Sequence, residues 1–404
     1  MSSQRRHCAR HTAEVAAPAG VVYGLLADAP RWPVLLPSYV HVERLDATAA
    51  GDSLRLWHLH GGRVHAARVR RVLHPGPRRI EFEHQDLHAP GAPTHGYWNV
   101  SPQGPGRCLV TLHQETPAPP GPPPGVPGVS DTPGAPGLSG PPQVPDTPGA
   151  SGVSDPPGVP DPFGVPGASW VSDAPGACDA PGTPGASGVS GVPDPFGVPG
   201  PFDAADAPDA SGVSGALEVR VRAQVAAVRA AAERWDRLDE LLLSFEDSLR
   251  VCGSPEIVYD FLYRIGDWAD LVPHVERVEA GEERPGVQRT VVHTSDPGTG
   301  DTAVFGGVRL CFPAAGRIVH RQTVTPDPIA AYYGEWSLEP DASGVRVAHR
   351  HQVMLRDSVL EPAAKAGVLP VDARRQVREW LGRTSTETLT LARWHAESAL
   401  RRLR

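Results

Sequence analysis

Lysine is all but missing: Lys365 is the only one among the 38 basic residues of a 404-residue chain. With the Ala/Gly/Pro/Val bias, this points to a G+C-rich genome more than to any chemistry. Cysteine is scarce and unpaired in pattern. Cys8, Cys108, Cys178, Cys252 and Cys311 are odd in number and form no CxxC pair, which argues against a disulfide framework and a structural zinc site. No stretch approaches the ~18–20 apolar residues of a membrane span. The opening MSSQRRHCARHTAEVAAP lacks the apolar core of a signal peptide. A cytoplasmic protein that engages neither membrane nor nucleic acid is the expectation. A Rossmann glycine fingerprint, a P-loop and a nucleophile elbow are also missing, so neither a nucleotide cofactor nor a serine-hydrolase mechanism is expected.

The net charge of −8 misleads about the folded parts. Between Pro117 and Gly215 lie ten Asp and no Glu, Lys or Arg, so the rest of the chain sits near +2 and carries no dominant basic patch. The same segment holds most of the 46 prolines and repeats itself loosely: VPDPFGVPG starts at Val159 and again at Val192, DTPGA at Asp131 and Asp146. Such composition cannot bury enough apolar surface to offset its ordering entropy. Residues 117–215 are expected to be disordered, with Phe163, Trp170, Phe196 and Phe202 as scattered aromatics rather than a docking motif.

A second kind of repeat joins the flanks. Val22-Tyr23, Trp32 and Leu36-Pro37 match Val258-Tyr259, Trp268 and Val272-Pro273 at an offset of 236. His41-Val42-Glu43-Arg44 matches His274-Val275-Glu276-Arg277 at 233, which implies three extra residues in the first repeat. Arg71, Pro75 and Arg79-Ile80 match Arg309, Pro313 and Arg317-Ile318 at 238, as do Gly96-x-Trp98 with Gly334-x-Trp336 and His113-Gln114 with His351-Gln352. This is a duplicated domain.

In each repeat a short strand leads to a helix begun by Pro18 or by Ser254-Pro255, the latter a good N-cap signal. Alternation then predicts strands over Val40–Leu45, Ser53–Leu59, Val64–Leu73, Arg79–His84, His95–Val100 and Cys108–Glu115. A long helical pattern, Asp372–Leu400, closes the second repeat. Its counterpart in the first is Leu217–Leu238, beyond the low-complexity segment. That segment is therefore an insertion inside domain 1. The expected fold is α+β: two tandem helix-grip domains, residues 7–116 with 216–241 and residues 245–404, joined by a linker near Leu241–Phe245. Each wraps a curved antiparallel sheet around a long C-terminal helix and leaves a ligand-sized cavity between them.

VYGLLADAPRWPVLLPSY in the first repeat, with VYDFLYRIGDWADLVPHVERVEA, VRLCFPAAGRI, GEWSLEP and the junction LLLSFEDSLRV, resembles the di-domain aromatase/cyclases of bacterial type II polyketide synthases, members of the START-like, Bet v 1-like superfamily. The resemblance implies a cofactor-independent enzyme that promotes first-ring aldol cyclisation, dehydration and aromatisation of a reduced poly-β-ketone. Its partners would be an acyl carrier protein with the tethered chain, a ketosynthase and a ketoreductase. The alternative is a non-catalytic START-like carrier of a hydrophobic small molecule.

Candidate site residues follow. Strand periodicity puts Arg71 on one face with Ala67, Val69 and Leu73, where an arginine needs an anion, a carbonyl or a carboxylate partner. The resemblance makes it a pocket residue that polarises a ketone; a structural ion pair is the alternative. Arg309 holds the matching place, but Val304, Val308, Leu310 and Phe312 make the opposite face look buried. The resemblance places Trp32 and Trp268 at the pocket mouth and Tyr39 in the pocket, with Val275 or a gap at the matching position of the second repeat. It also makes Ala67 and Val69 small for the family, hence a roomier first pocket. The repeated His113 and His351 are acid/base candidates. Trp98, Trp336, Gln114 and Gln352 are candidate pocket residues. No metal site is assigned; His58, His60 and His65 lack an obvious fourth ligand. Arg68, Arg70, Arg78 and Arg79 form an arginine-rich outer surface, read first as a solvated face and otherwise as the place for an acidic carrier protein to dock.

Overall fold

A computed structural model of the chain describes residues 6–87, 93–117, 210–295, 300–342, 344–359 and 370–402. The segment expected to be disordered lies, apart from its two ends, outside the described residues, as do its four aromatics and Cys178.

The first repeat comprises β1 (Arg6–Val15), α1 (Ala19–Ala27), α2 (Trp32–Leu35), β2 (Tyr39–Ala47), β3 (Gly51–His60), β4 (Arg63–His74), β5 (Arg79–Asp86), β6 (Thr94–Pro102), β7 (Cys108–Pro117) and α3 (Ala210–Ala232). After α4 (Leu238–Leu241), the second comprises β8 (Leu242–Val251), α5 (Pro255–Tyr263), α6 (Trp268–Leu271), β9 (Val275–Arg284), β10 (Val287–Ser295), β11 (Thr302–Phe312), β12 (Arg317–Val324), β13 (Ile329–Asp341), β14 (Gly344–Leu355) and α7 (Pro370–Arg402). Each forms a seven-stranded antiparallel sheet of the same order, β1-β7-β6-β5-β4-β3-β2 and β8-β14-β13-β12-β11-β10-β9. Leu217, Val221, Val225 and Val228 bury one face of α3, which packs on β1, β7 and α1. The closing helix of the first sheet is thus the one that follows the insertion. No loop separates the repeats where a linker was expected, because α4 runs straight into β8.

Two sequence matches are corrected by strand register. Tyr39 pairs with His58 and Val42 with Leu56, while Val275 pairs with Thr294 and Val278 with Val292. Tyr39 therefore corresponds to Val275 without any gap. The HVER match at 233 is a coincidence of composition, and His41 corresponds to Arg277. At the other end of the sheet, Gly96 faces Gln114 but Gly334 faces His351. The partner of Gly334 comes 17 residues after it and that of Gly96 18 residues after it, so Gln114, not His113, is the counterpart of His351. A slip of one residue exchanges the two faces of a strand.

The repeats meet through a shared apolar cluster. Val34, Val40, Trp57, Val64 and Ala66 of the first pack with Val308, Leu310, Val319 and Tyr333 of the second. His41 Nδ1 lies 2.9 Å from the Tyr333 hydroxyl, and Arg317 donates to Glu43 at 2.7 Å. This is why β11 defies a parity reading: its inner face lines a cavity while its outer face is covered by the other repeat.

Candidate active site

Between the first sheet and α3 lies a cavity of about 640 Å³. Leu56, Phe82, Trp98 and Trp32 give it apolar walls; Tyr39, His58, His84, Gln114, Arg71 and Arg220 supply its polar groups. No Asp or Glu is among the described lining residues. Room is made by small side chains, notably Ala216, Ala223 and Ala227 on α3 and Thr94 on β6.

The equivalent space in the second repeat is only about 110 Å³. Register identifies what fills it. Phe305 stands where the first repeat has Ala67, Tyr332 where it has Thr94, and His349, opposite Trp336, where Leu112 lies opposite Trp98. Matching the buried positions of the closing helices (Leu217 with Leu381, Val225 with Leu389, Ala232 with Ala396) puts Trp380 at Ala216 and Thr384 at Arg220. The motif glycines serve the inward rings of the neighbouring strand. A Cβ on Gly334 would lie 2.1 Å from His320 Nε2, and one on Gly96 2.5 Å from the Phe82 ring.

Arg71 is 3% exposed and heavily engaged. Its Nε and Nη2 donate to the two Asp52 carboxylate oxygens at 2.7 Å each, Nη1 to the Leu26 carbonyl at 2.8 Å and Nη2 to the Ala27 carbonyl at 2.9 Å. It caps the C-terminus of α1, ties it to β3, and lies over the Trp32 ring. The ion-pair alternative therefore describes most of what this side chain does, with one guanidinium N–H left for a ligand. Trp32 is held by its own bond to the Leu25 carbonyl at 3.0 Å. Arg309 repeats the helix cap, donating to the Leu262 carbonyl at 2.5 Å and the Tyr263 carbonyl at 3.3 Å, and Trp268 repeats the bond to the Phe261 carbonyl. Its strand partner, however, is Gln288, at 2.7 Å, in place of Asp52.

Tyr39 lines the cavity against Trp32, and burial pushes its phenol up to about 12, so it is a protonated donor at neutral pH. His113 lies on the other face of β7 beside Tyr97, 3.0 Å from Glu115, and does not reach the cavity. His351 is 1% exposed, stacked on Phe245 with Nδ1 2.9 Å from the Tyr332 hydroxyl; it too does not line the second cavity. Gln352, one residue on, faces away from it. Neither histidine of this pair is placed to act as an acid or base on a cavity ligand. Trp98 and Gln114 do line the first cavity, and Trp268 and Trp336 the second. Among the described residues no group of His, Cys, Asp and Glu is arranged to hold a metal ion.

Two residues escaped the sequence reading. His84 joins His58 and His65 in a ring cluster at the cavity. Arg220 arrives from α3, where its only signal is a polar pair, Arg220 and Gln224, at helical spacing within an alanine stripe.

The cavity histidines are uncharged at neutral pH. Burial, then the positive field of His84 and other neighbours, lowers His58 to about 3; burial and Arg220 lower His84 to about 4. In the second repeat burial lowers His320 to about 3 and His349 well below the ordinary value. An unfolded histidine titrates near 6.5, so between pH 6.5 and 4 the unfolded chain binds more protons. Stability is expected to fall as pH is lowered through that window, and a melting temperature that stays level from pH 7 to 4.5 would contradict it.

Residues 6–137 match the family described as polyketide cyclase / dehydrase and lipid transport. The granaticin polyketide synthase bifunctional cyclase/dehydratase of Streptomyces violaceoruber is 24% identical over 397 residues, 98% of this chain and 95% of that one. The actinorhodin counterpart of Streptomyces coelicolor is 26% identical over 401 residues, 96% of each. Among solved structures, the di-domain ARO/CYC StfQ of the steffimycin pathway aligns with a TM-score of 0.65 at 22% identity, covering 97% of this chain and 99% of that one. BexL of the BE-7585A pathway aligns at 0.66 and 24%, covering 96% and 98%. The tandem helix-grip architecture is common to all three.

Proposed function

We propose that the chain is a cofactor-independent aromatase/cyclase, like the polyketide cyclase/dehydratases it is similar to, and that the first cavity is where it works. The observation that carries this is the contrast between repeats: one space is an open cavity of about 640 Å³, the other is packed with Phe305, Tyr332 and Trp380. On this reading residues 7–116 with 216–241 form the working domain and residues 245–404 brace it through the shared apolar cluster.

The chemistry asks for little proton-transfer power. A methylene between two carbonyls enolises readily; the enol carbon adds to a ketone carbon, the proton ends on the new alkoxide, and the β-hydroxy ketone sheds water. What must be supplied is one register of folding and donors at the developing oxyanions. Flat walls from Trp32, Phe82 and Trp98 select the register, while the Tyr39 phenol and the remaining Arg71 N–H are the donors. His58 and His84, with values near 3 and 4, are weak bases and act as neutral hydrogen-bonding groups. Arg68 and Arg70, exposed on the outer face of β4, are the surface offered to an acidic acyl carrier protein bearing the ketide. A ketosynthase and a ketoreductase would build and reduce that chain beforehand.

Reconstitution with a minimal polyketide synthase and ketoreductase tests this. Adding the protein is expected to convert a mixture of spontaneous shunt products into one ring regiochemistry. Unchanged product ratios with only a change in yield would instead establish a ligand carrier.

A further inference from the structure

The first cavity contains two arginines in very different states. Arg71 is neutralised by the bidentate Asp52 carboxylate. Among the described residues Arg220 makes no ion pair; its one hydrogen-bond approach there is a long 3.5 Å from Nη2 to Gln114 Oε1, and its Nε is enclosed without a partner. Gln114 is itself occupied, donating to Gln224 Oε1 at 3.1 Å. The cavity wall thus carries a guanidinium whose charge no described residue answers, in a space whose described lining is largely aromatic and aliphatic carbon with neutral polar groups and no carboxylate. An unanswered charge in such surroundings is costly, and is retained where a ligand answers it. Thr384 occupies the corresponding place in the packed second repeat, so the arginine goes with the open space.

We infer that Arg220 is the anion-holding residue of the first cavity, and that the ligand it takes is a largely apolar, flat molecule carrying one oxyanion, an enolate or a carboxylate. This rests on the first cavity being the ligand site. It adds a charged donor on the closing helix to the neutral Tyr39 phenol and the Asp52-neutralised Arg71 N–H on the sheet.

Fluorescence titration of the full-length protein tests it with two probes of one skeleton: 1-anilinonaphthalene-8-sulfonate, which is anionic, and N-phenyl-1-naphthylamine, which is neutral. Arg220→Gln is expected to weaken sulfonate binding ~10–100-fold, the range for a lost hydrogen bond to a charged group. Binding of the neutral probe should stay within about 2-fold. Arg220→Lys should restore part of the loss, and the melting temperature should hold or rise. A Thr94→Tyr/Ala216→Trp variant should abolish both signals, which assigns them to the cavity. Equal loss of both probes in Arg220→Gln, no loss of either, or no sulfonate binding by the unaltered protein would each overturn the inference. The readout is independent of ring formation: a protein that holds the sulfonate through Arg220 but leaves product ratios unchanged would fail as a cyclase while keeping its anion site.

Discussion

Arg71→Ala is expected to lower stability by ~3–5 kcal/mol, a fall in melting temperature of roughly 10 °C, because it strands the buried Asp52 carboxylate and uncaps α1. Asp52 is 5% exposed, and its other cationic neighbour, Arg44, is half outside at 3.3 Å and cannot replace two bonds of 2.7 Å. Arg309→Ala removes the same helix cap but leaves only neutral Gln288 behind, so its cost should be clearly smaller. The double variant Asp52→Leu/Arg71→Met should recover much of the loss, since replacing both partners of a buried pair by apolar groups is often close to neutral. Equal melting temperatures for the two single alanine variants would sink this account. A loss of cyclisation in Arg71→Ala reports first on a displaced α1 and a loosened Trp32, and only then on chemistry.

The second large effect concerns space. Thr94→Tyr/Ala216→Trp installs in the first repeat two of the side chains that fill the second. Product formation with intact regiochemistry is expected to drop about 100-fold or more, since a shift of even ~1 Å in a reacting chain costs that much. Folding should be preserved, because both sites face an existing void and Ala216 is exposed at its edge. Retained activity in a well-folded double variant would move the working site out of the first cavity.

Much of the architecture was readable because its determinants are local or periodic. Strands β2 to β7 each lie within three residues of their alternating segments, and Arg71 points inward as its neighbours Ala67 and Val69 imply. What resisted was set by partners that alternation does not see. The outer face of β11 is apolar because another repeat covers it. The His113/His351 match failed on a hairpin register one residue shorter in the second repeat, which leaves identity intact and exchanges the faces. Whether the inward arginine would be free or paired depended on Asp52, nineteen residues earlier and opposite it only through the β3–β4 register. Arg220 was hidden for a different reason: a charged residue on a helix looks solvated until the alanines beside it are seen to face a void.

The position of α3 in the chain has a consequence for biosynthesis. The wall that covers the concave side of the first sheet is translated roughly 90 residues after the last strand of that sheet, a delay of roughly 5–20 s at ordinary elongation rates. Throughout that interval Leu112 lacks the Leu217, Val221 and Val225 side chains that cover it in the finished protein, and only α1 lies against the rest of the concave face, so the nascent sheet is a natural client for holdase chaperones on the ribosome. Shortening the interval, rather than altering any contact in the finished protein, is then the lever that would raise soluble yield.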